Sequence, residues 1–424
     1  MTLLLVEALH AQEHAAVAPE RVEVAGITVP AGPPRTERAA PGDDLQARVA
    51  ALPAGSTLVV PAGRWRGPLR IDRPLTLAGE PGAELRGDGT GTVLVVAASD
   101  VTVRDLALRA GGKDATRGDA GVVVGADRVV LERIDVAETL MGVDFRMASD
   151  CVLRDSRIAG REDLTMGQRG DGIRLWESDR NVIEGNTLAG VRDLVVWYSE
   201  DNVVRGNTVT GSRYGTHFMH ADRNVVEGNA FLDDVVGVFV MYSTDIRLVA
   251  NRVEGADGAA GVGLGFKESD AIVATGNRLV GNTTGVYLDG TPHRVGGSAR
   301  FEDNLLAYNH VGVRLHGAVT GAVFAANDLH ENPVPVSVDS RADTSGTTFE
   351  GNRWSDYAGY DLDRDGVGDV PHELRAATVT LIGRNPLVAY FNGTLAASLL
   401  DLFAAAFPML APPPVARDAR PVMG

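Results

Sequence analysis

The sequence predicts an all-β fold, a right-handed parallel β-helix of about 10 to 12 coils. A phrase of the form Gly-Val-x-Leu-x recurs along the chain, and each copy is followed after a few residues by an asparagine at a turn. Eight of these asparagines are separated by 21 to 27 residues: Asn186, Asn207, Asn229, Asn251, Asn277, Asn304, Asn327 and Asn352. This period, with three short strands in each repeat, is typical of a parallel β-helix, whereas the sequence frame of a leucine-rich repeat is missing. One asparagine per coil predicts a structural ladder of side-chain amides.

The composition excludes several classes of protein. The chain has 424 residues with 50 glycines, and aromatic residues make up only 5%. Because this leaves little side-chain volume for a large globular core, we expect a long and narrow one. A net charge of −16 disfavours binding to nucleic-acid backbones. The single cysteine, Cys151, excludes an internal disulfide and a thiolate zinc site.

Residues 1–42 are interpreted as the remnant of an export leader followed by a linker. The apolar start ends near Ala11, but it has no basic residue and Glu7 interrupts it, so either a misplaced start or a cytosolic protein explains it. The β-helix is predicted over residues 43–385. It opens with a short N-terminal capping helix that begins at the acidic residues Asp43 and Asp44 and covers the first coil.

Aligning the repeated phrases separates inward from outward positions, because side chains alternate along a strand. The first outward column reads Asp144, Arg174, Val195, His217, Phe239, Gly263, Tyr287 and Arg314. The second outward column reads Arg146, Trp176, Trp197, Met219, Met241, Gly265, Asp289 and His316. Solvent-facing positions should be polar, so the large apolar side chains of the second column indicate a contact surface or a binding site.

The residue types on this face point to one metal. Met219 and Met241 fall on successive copies of the phrase, His217 precedes Met219 by two residues, and His220 follows it directly. Two thioethers with imidazole form a soft ligand set, which suits Cu(I) better than magnesium or calcium. The sequence therefore predicts transient Cu(I) binding at these four residues.

Two alternatives use the same face without copper. In the first, Trp176 and Trp197 dock a partner protein together with the methionines. In the second, the chain binds or processes a polysaccharide, as a lyase or an epimerase does, with the tryptophans stacking on sugars and nearby aspartates acting as acid and base. The aspartates weighed for that role are Asp163, Asp171, Asp201, Asp233 and Asp234. Turn chemistry explains nearly all of them, so no catalytic residue is assigned.

An acidic loop follows the last repeat. Asp361, Asp363, Asp365 and Asp369 have the spacing of a calcium-binding loop, although His372 stands where a bidentate glutamate is expected. A calcium ion there would have a structural role, and the alternative is an acidic capping turn without an ion.

Residues 386–424 are predicted to form an apolar docking helix and a Pro-rich tail. The stretch 395–411 has Asp401 as its only charge, but it is too short and interrupted for a membrane span. We expect it to press on another protein or on a membrane surface. The side chains predicted to dock are Phe391, Leu399, Leu400, Phe403 and Phe407.

The chain resembles the NosD family, within the carbohydrate-binding and sugar-hydrolase-like β-helix group. The stretches that carry the resemblance are 170–176, 193–199, 213–219, 238–243 and 352–356, and Tyr-Gly-Thr-His-Phe-Met at 214–219 is among the more specific. The resemblance implies a periplasmic protein without a reaction of its own, associated with the membrane subunit of an ABC transporter. It also implies help in copper delivery to nitrous oxide reductase from a copper donor chaperone, and so supports copper handling at His217, Met219 and Met241.

Overall fold

A computed structural model describes residues 22, 29–339, 342–375, 387–388, 394–396, 399–400, 403 and 414–423. The chain divides into two compact units, Leu3–Ala230 and Phe231–Gly424. Each unit is a parallel β-solenoid, which confirms the predicted all-β fold class. The described part of the chain has about 14 turns, more than predicted, because the coils before Asn186 have no asparagine at the corner used for counting. The right-handed sense of the coil stays a prediction.

Each coil of the first unit passes through three sheets, called A, B and C in the order in which the chain visits them. Sheet A contains Thr36–Arg38, Ser56–Val60, Leu75–Gly79, Thr102–Arg104, Val130–Glu132, Val152–Arg154, Val182–Glu184, Val203–Arg205 and Val225–Glu227. Sheet B contains Gly63–Arg66, Ala83–Arg86, Ala107–Arg109, Asp135–Val136, Arg157–Ala159, Thr187–Ala189 and Thr208–Thr210. Sheet C contains Leu69–Ile71, Leu94–Val96, Ala120–Val124, Met141–Arg146, Ile173–Trp176, Asp193–Trp197 and Tyr214–Met219. A short 3-10 helix, Met166–Gln168, lies in the loop before Ile173–Trp176.

The second unit repeats the three-sheet coil, and Ala230–Leu232 is a strand at the boundary between the units. Its sheet A contains Thr244–Val249, Asp270–Thr275, Ala299–Glu302, Ala322–Ala325, Thr348–Glu350, His372–Leu374 and Ala416–Asp418. Its sheet B contains Arg252–Glu254, Arg278–Val280, Leu305–Ala307, Asp328–His330 and Arg353–Trp354. Its sheet C contains Val236–Met241, Val262–Lys267, Thr284–Asp289, Val311–His316 and Val334–Val338.

The core of each unit is a stack of inward-facing apolar columns. In sheet C of the first unit, Val143, Ile173 and Leu194 are register partners and are fully buried. Such slim side chains repeat at every coil, so each one packs on its counterpart in the next coil. The alternation of inward and outward side chains predicted for these strands is confirmed.

One coil of the second unit has a register different from that predicted. Phe239 pairs with Gly265, and Met241 pairs with Lys267, where the alignment predicted Gly263 and Gly265. The turn before the strand Val262–Lys267 is longer than in neighbouring coils, which shifts the outward positions by two residues. Gly265 is required there, because a Cβ atom at this position would lie 2.4 Å from the ring of Phe239.

The corner asparagines form the predicted ladder. The side-chain oxygen of Asn207 accepts hydrogen bonds from the backbone N–H and the side-chain amide of Asn186, both at 3.0 Å. Asn186 also donates to the carbonyl of Leu153 at 2.9 Å. The same pattern recurs along Asn251, Asn277, Asn304, Asn327 and Asn352. These buried amides satisfy backbone groups that would otherwise be unpaired at the corner.

Further asparagines form ladders at other corners, which the repeat alignment missed. In the first unit, Asn202 accepts from the backbone of Asn181 at 2.8 Å. In the second unit, Asn309 accepts from both the backbone and the side chain of Asn282, each at 3.0 Å. Each of these asparagines lies five residues from a member of the predicted ladder, so a second period of the same length was present in the sequence.

A carboxylate ends the asparagine ladder of the second unit. Asp418 is fully buried, and its Oδ2 accepts from the backbone and side-chain amides of Asn352 at 2.9 and 3.0 Å and from the indole of Trp354 at 3.1 Å. Its Oδ1 accepts from the backbone of Gly351 at 3.1 Å. Because a carboxylate only accepts hydrogen bonds, it suits the last position, where no further coil needs a donor.

The N-terminal helix is observed as predicted. It spans Leu45–Ala51, and the side chain of Asp44 caps it by accepting from the backbone N–H groups of Gln46 and Ala47. The side chain of Gln46 forms two hydrogen bonds with the backbone of Arg70, at 2.8 and 3.1 Å. The helix therefore satisfies backbone groups of the first strand of sheet C, which would otherwise be an open edge.

The predicted C-terminal segment 386–424 is described only in part. Its end returns to the solenoid, because Ala416–Asp418 pairs in parallel with Thr348–Glu350 and antiparallel with His372–Leu374. The described residues Leu395, Leu399, Leu400 and Phe403 are helical. Phe391 and Phe407 lie outside the described residues.

We expect Asp418→Ala to lower the free energy of unfolding by about 2 to 4 kcal/mol, because it removes the acceptor of several buried donors. Arg417→Ala is the matched control, since that exposed neighbour should change stability by no more than about 0.5 kcal/mol. Urea unfolding measures both. Equal stabilities for the two variants would show that the ladder does not depend on its terminal carboxylate.

Candidate functional site

The candidate site lies on the outward face of sheet C in the first unit. The strands Ile173–Trp176, Asp193–Trp197 and Tyr214–Met219 pair in parallel there. Their register aligns Trp176 with Trp197 and Trp197 with Met219. It also aligns Val195 with His217 in the neighbouring column. The two outward columns predicted for this part of the chain are therefore correct.

These outward positions are not exposed, and the expectation that Trp176 and Trp197 offer a solvent-facing docking stripe is wrong. Trp176 is 6% exposed and Trp197 is 4% exposed. Both pack with Val195 and with the partly buried Met219, and the two indole rings meet edge to face at 5.8 Å. The burial arises because bulky side chains on coils only about 4.8 Å apart shield one another.

His217 is fully buried within this group. Its ring stacks on Tyr214 at 4.8 Å between centroids, and its Nδ1 accepts a hydrogen bond from the indole Nε1 of Trp197 at 3.4 Å. An imidazole nitrogen that accepts from an indole N–H carries no proton. The geometry therefore assigns His217 the tautomer with its proton on Nε2, and Nδ1 cannot bind a metal while this bond is intact.

The exposed part of the site is the corner that follows each strand. Tyr198 and His220 follow Trp197 and Met219, and both have left-handed backbone, with φ angles of 51° and 49°. Their rings stack at 5.3 Å, and Tyr198 is 44% exposed. A bulky residue seldom adopts this conformation without compensation, so the corner holds these rings outward at a cost in backbone strain.

The predicted copper ligands are distributed over both units. Met219 and His220 are adjacent at the end of one strand of the first unit, and His220 is exposed. Met241 ends the strand Val236–Met241 of the second unit and is buried. The predicted spacing of Met219 and Met241 stays a prediction.

A buried charge network borders the aromatic group. Asp144 is fully buried, and Arg174 forms two hydrogen bonds with it at 2.8 Å. Asp193 is also fully buried and binds Arg213, whose guanidinium lies 4.9 Å from the centroid of the Tyr214 ring. Contacts therefore connect the Asp193–Arg213 pair through Tyr214 and His217 to the tryptophans. Each buried charge in this network is paired with an opposite charge, because an unpaired buried charge would cost several kcal/mol of desolvation free energy.

The carboxyl of Asp171 belongs to this network. Burial raises the pKa of Asp171, and the nearby carboxylate of Asp193 raises it further. The positive charge of Arg192 lowers this pKa, but it does not cancel the rise. Arg192 donates to Asp171 at 2.8 and 2.9 Å. The pKa of Arg213 is raised by Asp193, although burial opposes the rise. Asp171 is thus held by an ion pair and is not aimed into an open cleft.

Two other aspartates weighed as acids or bases, Asp163 and Asp201, are bound by basic side chains. Asp163 is bound by Arg161 and Lys113, whose hydrogen bonds lower its pKa. Asp201 receives a hydrogen bond from the Nε of Arg223 in the following coil at 2.9 Å. These contacts agree with a turn and corner function for the two residues.

The acidic loop of the second unit has a compact geometry. Carboxylate oxygens of Asp361, Asp363 and Asp365 lie within 4.8 Å of one another. Asp361 accepts from the backbone N–H of Gly366 at 2.9 Å, and Asp369 accepts from that of Leu362 at 2.6 Å. His372 lies 3.2 Å from Asp356 instead of within the loop. The calcium ion stays a prediction.

Sequence reasoning missed Tyr198, Tyr214 and the buried ion pairs. The sequence shows Asp and Arg at outward positions, but it does not predict that these side chains are buried. Their burial depends on neighbouring side chains from several coils. The left-handed backbone at Tyr198 and His220 could be recognised only by aligning the ends of the strands. His220 was found from its place beside Met219.

Comparisons with known proteins are consistent with these features. Residues 154–359 match the family model described as "Periplasmic copper-binding protein (NosD)". A "Probable ABC transporter binding protein NosD" from Pseudomonas aeruginosa is 31% identical over 92% of this chain and 92% of its own length. The chain belongs to the NosD family. A NosD relative of the same description from Stutzerimonas stutzeri is 28% identical, over 86% of each chain.

Solved structures share the solenoid with this NosD-family chain only distantly. The A-module of mannuronan C-5 epimerase AlgE6 from Azotobacter vinelandii is 16% identical, with a TM-score of 0.44, over 72% of this chain and 93% of its own. An alginate lyase from Paenibacillus is also 16% identical, with a TM-score of 0.41, over 75% and 98%. Among the described residues, no helix is long and apolar enough to cross a membrane.

Proposed function

We propose that this NosD-family protein is a non-enzymatic periplasmic accessory protein that works with an ABC transporter in copper delivery to nitrous oxide reductase. Its family description as periplasmic and copper-binding supports the location and the metal. The description of its relatives as ABC transporter binding proteins supports the partner. A copper donor chaperone and the reductase are the further partners of this proposal.

The observation that carries the proposal is the strand end at Met219 and His220. A thioether and an exposed imidazole are adjacent there, and both rest on a rigid aromatic layer. Thioether and imidazole are soft or intermediate donors that suit Cu(I). The half-buried Met219 lies against apolar rings, which favours a soft thioether contact over a hard, hydrated cation.

His217 is buried on the strand that carries Met219 and precedes His220. Its bond from Trp197 and its stacking on Tyr214 fix the strand that carries Met219. We assign Met219 and His220 as ligands within the first unit and His217 as a positioning residue, and Met241 stays a ligand predicted from the sequence. An incomplete set with one exposed member suits a metal that is passed on, because entry and exit require an accessible ligand.

We expect anaerobic titration against a Cu(I) chelator to show saturable binding, weakened about tenfold or more by Met219→Leu, His220→Gln or Met241→Leu. Leucine keeps the packing volume of methionine but removes the sulfur. Met141→Leu is the matched control, since Met141 is a buried methionine of the same sheet that packs near Val22. Nitrous oxide reductase matured with the Met219→Leu, Met241→Leu double variant should contain less copper. Unchanged affinity and copper content in that variant would reject the ligand assignment.

The C-terminal apolar segment is the proposed contact with the transporter. Leu374 and Ala416 are register partners in an antiparallel pair, so the segment between them leaves and returns at one point. Val388 within it packs near Val311 and Val334 of the solenoid. The described residues Leu374, Val388 and Ala416 are therefore held against the solenoid.

Its described side chains present an apolar face. Leu395, Leu399 and Phe403 are four residues apart, so in helical backbone they lie on one side. They are 76%, 45% and 59% exposed. Exposed apolar side chains in such a row favour docking of a hydrophobic partner, here the membrane subunit of the transporter.

We expect Leu399→Ser with Phe403→Ser to reduce co-purification with the membrane subunit of the transporter by about tenfold or more, because apolar contact area is lost. Leu362→Ser, at an exposed leucine of the acidic loop, is the control and should leave co-purification unchanged. If the double variant co-purifies with the transporter as well as the wild type does, the row of Leu395, Leu399 and Phe403 is not the contact.

For the acidic loop, the expected ion is calcium in a structural role. We expect calcium to raise the melting temperature relative to chelator by about 2 °C or more, because an ion bound to the folded state stabilises it. Asp361→Asn should remove the increase, and magnesium should not reproduce it. Identical melting curves with calcium and with chelator would mean that the loop is an acidic turn without an ion.

A further inference from the structure

The indole ring of Trp197 is held in one orientation by its neighbours. Its Nε1–H group donates to Nδ1 of His217, and the two rings are nearly perpendicular, with an interplanar angle of 88°. Because the N–H bond lies in the plane of the indole, His217 contacts an edge of the ring and leaves the π faces to other side chains. Trp176 meets the same indole at an interplanar angle of 62°. The ring of Trp197 is therefore oriented before any ligand binds.

Met219 is the neighbour of Trp197 on the next coil. The two residues are register partners in sheet C, and neighbouring parallel strands lie about 4.8 Å apart. Met219 is partly buried and packs on the cluster of Trp176, Val195 and Trp197. Trp176 is the register partner of Trp197 on the other side, so it lies one coil farther from Met219. Trp197 is therefore the indole nearest in register to the thioether, and sulfur and aromatic rings attract one another at about 5 Å.

Trp197 does not fill the interior of the coil. Side chains alternate along its strand, so Leu194 and Val196 point inward while Val195 and Trp197 point outward. All four residues are buried, but the outward pair belongs to the separate cluster on which Met219 packs. The indole can therefore be replaced without opening a cavity in the interior of the solenoid.

The surroundings of the Met219 sulfur suit a soft cation. The two indoles and Val195 offer hydrocarbon and π surface, and the N–H of Trp197 is directed to His217. Cu(II) favours nitrogen and oxygen ligands in a tetragonal arrangement, whereas thioether ligands select Cu(I). The face of an indole attracts a cation, most strongly where water is excluded. This buried layer therefore disfavours hydrated Cu(II) and favours Cu(I).

We propose that the indole of Trp197 contacts the Cu(I) ion bound by Met219 and His220, and that this contact makes the site select Cu(I) over Cu(II). The inference rests on the proposed copper delivery and adds a selective contact to the same site. An ion on the Met219 sulfur lies within the roughly 6 Å over which a tryptophan face attracts a cation. The exposed His220 completes the site from the corner. The indole thus occupies the side on which Cu(II) would require a nitrogen, oxygen or water ligand.

Anaerobic titration of the full chain with Cu(I), followed by the near-UV absorption of the tryptophans, tests the contact. A cation against an indole face shifts the absorption of that ring, which a purely structural role of Trp197 would not do. We expect Trp197→Leu to lose this shift and to bind Cu(I) about tenfold or more weakly, with its Cu(II) affinity unchanged. Trp176→Leu is the matched control, because it removes the same side chain one coil farther from Met219 and should keep the shift.

Trp197→Phe is a second variant, which keeps a ring for packing if Trp197→Leu is unstable. It should lose the indole shift and bind Cu(I) with an affinity between those of the wild type and Trp197→Leu. A Trp197→Leu variant that keeps the shift or the wild-type Cu(I) affinity would overturn the proposal while the copper site itself stands. So would equal effects of Trp197→Leu and Trp176→Leu, or an equal loss of Cu(II) affinity. If the wild-type chain binds no Cu(I), the proposed function fails together with this inference.

Discussion

The constraint on which the structure depends is the fixed register between successive coils. Parallel backbone pairing sets the distance between coils, and the buried asparagine ladders set their alignment, because each amide bonds both its neighbour and the backbone of an adjacent coil. A slip by one residue would leave these buried groups unpaired and would exchange the inward and outward faces of a strand. The ladders therefore determine which side chains reach the outer face.

The outer face of sheet C in the first unit combines three chemistries at such fixed positions. The buried ion pair of Asp193 and Arg213 lies beside the ring of Tyr214, and His217 connects that ring to Trp197. The exposed rings of Tyr198 and His220 lie at the corner. A rigid inner layer with an accessible edge is suited to holding a ligand briefly, because the ligands are positioned in advance while one of them remains open to a partner.

Much of this architecture was predictable, because a repeat converts sequence spacing into spatial columns. The period of the asparagines predicted the solenoid. The aligned Gly-Val phrases predicted the alignment of Trp176, Trp197 and Met219, and acidic residues before a helical pattern predicted the N-terminal cap. Prediction failed where a turn of unusual length shifts the register, as at Gly265 and Lys267. It also failed for burial, since the exposure of an outward residue such as Trp197 depends on the bulk of its neighbours.

The repeat period could not predict contacts between parts of the chain that are far apart in sequence. Asp418 ends the ladder from 66 residues beyond Asn352, and no local pattern marks a single aspartate for that role.

The central claim is that outward side chains on this ladder-fixed scaffold bind Cu(I) through methionine sulfur and histidine nitrogen. X-ray absorption at the copper edge of the anaerobically loaded protein tests it directly. The account predicts sulfur and imidazole scatterers around copper, with the sulfur contribution reduced in the Met219→Leu variant. A spectrum with only oxygen and nitrogen ligands, or one unchanged by that substitution, would contradict it.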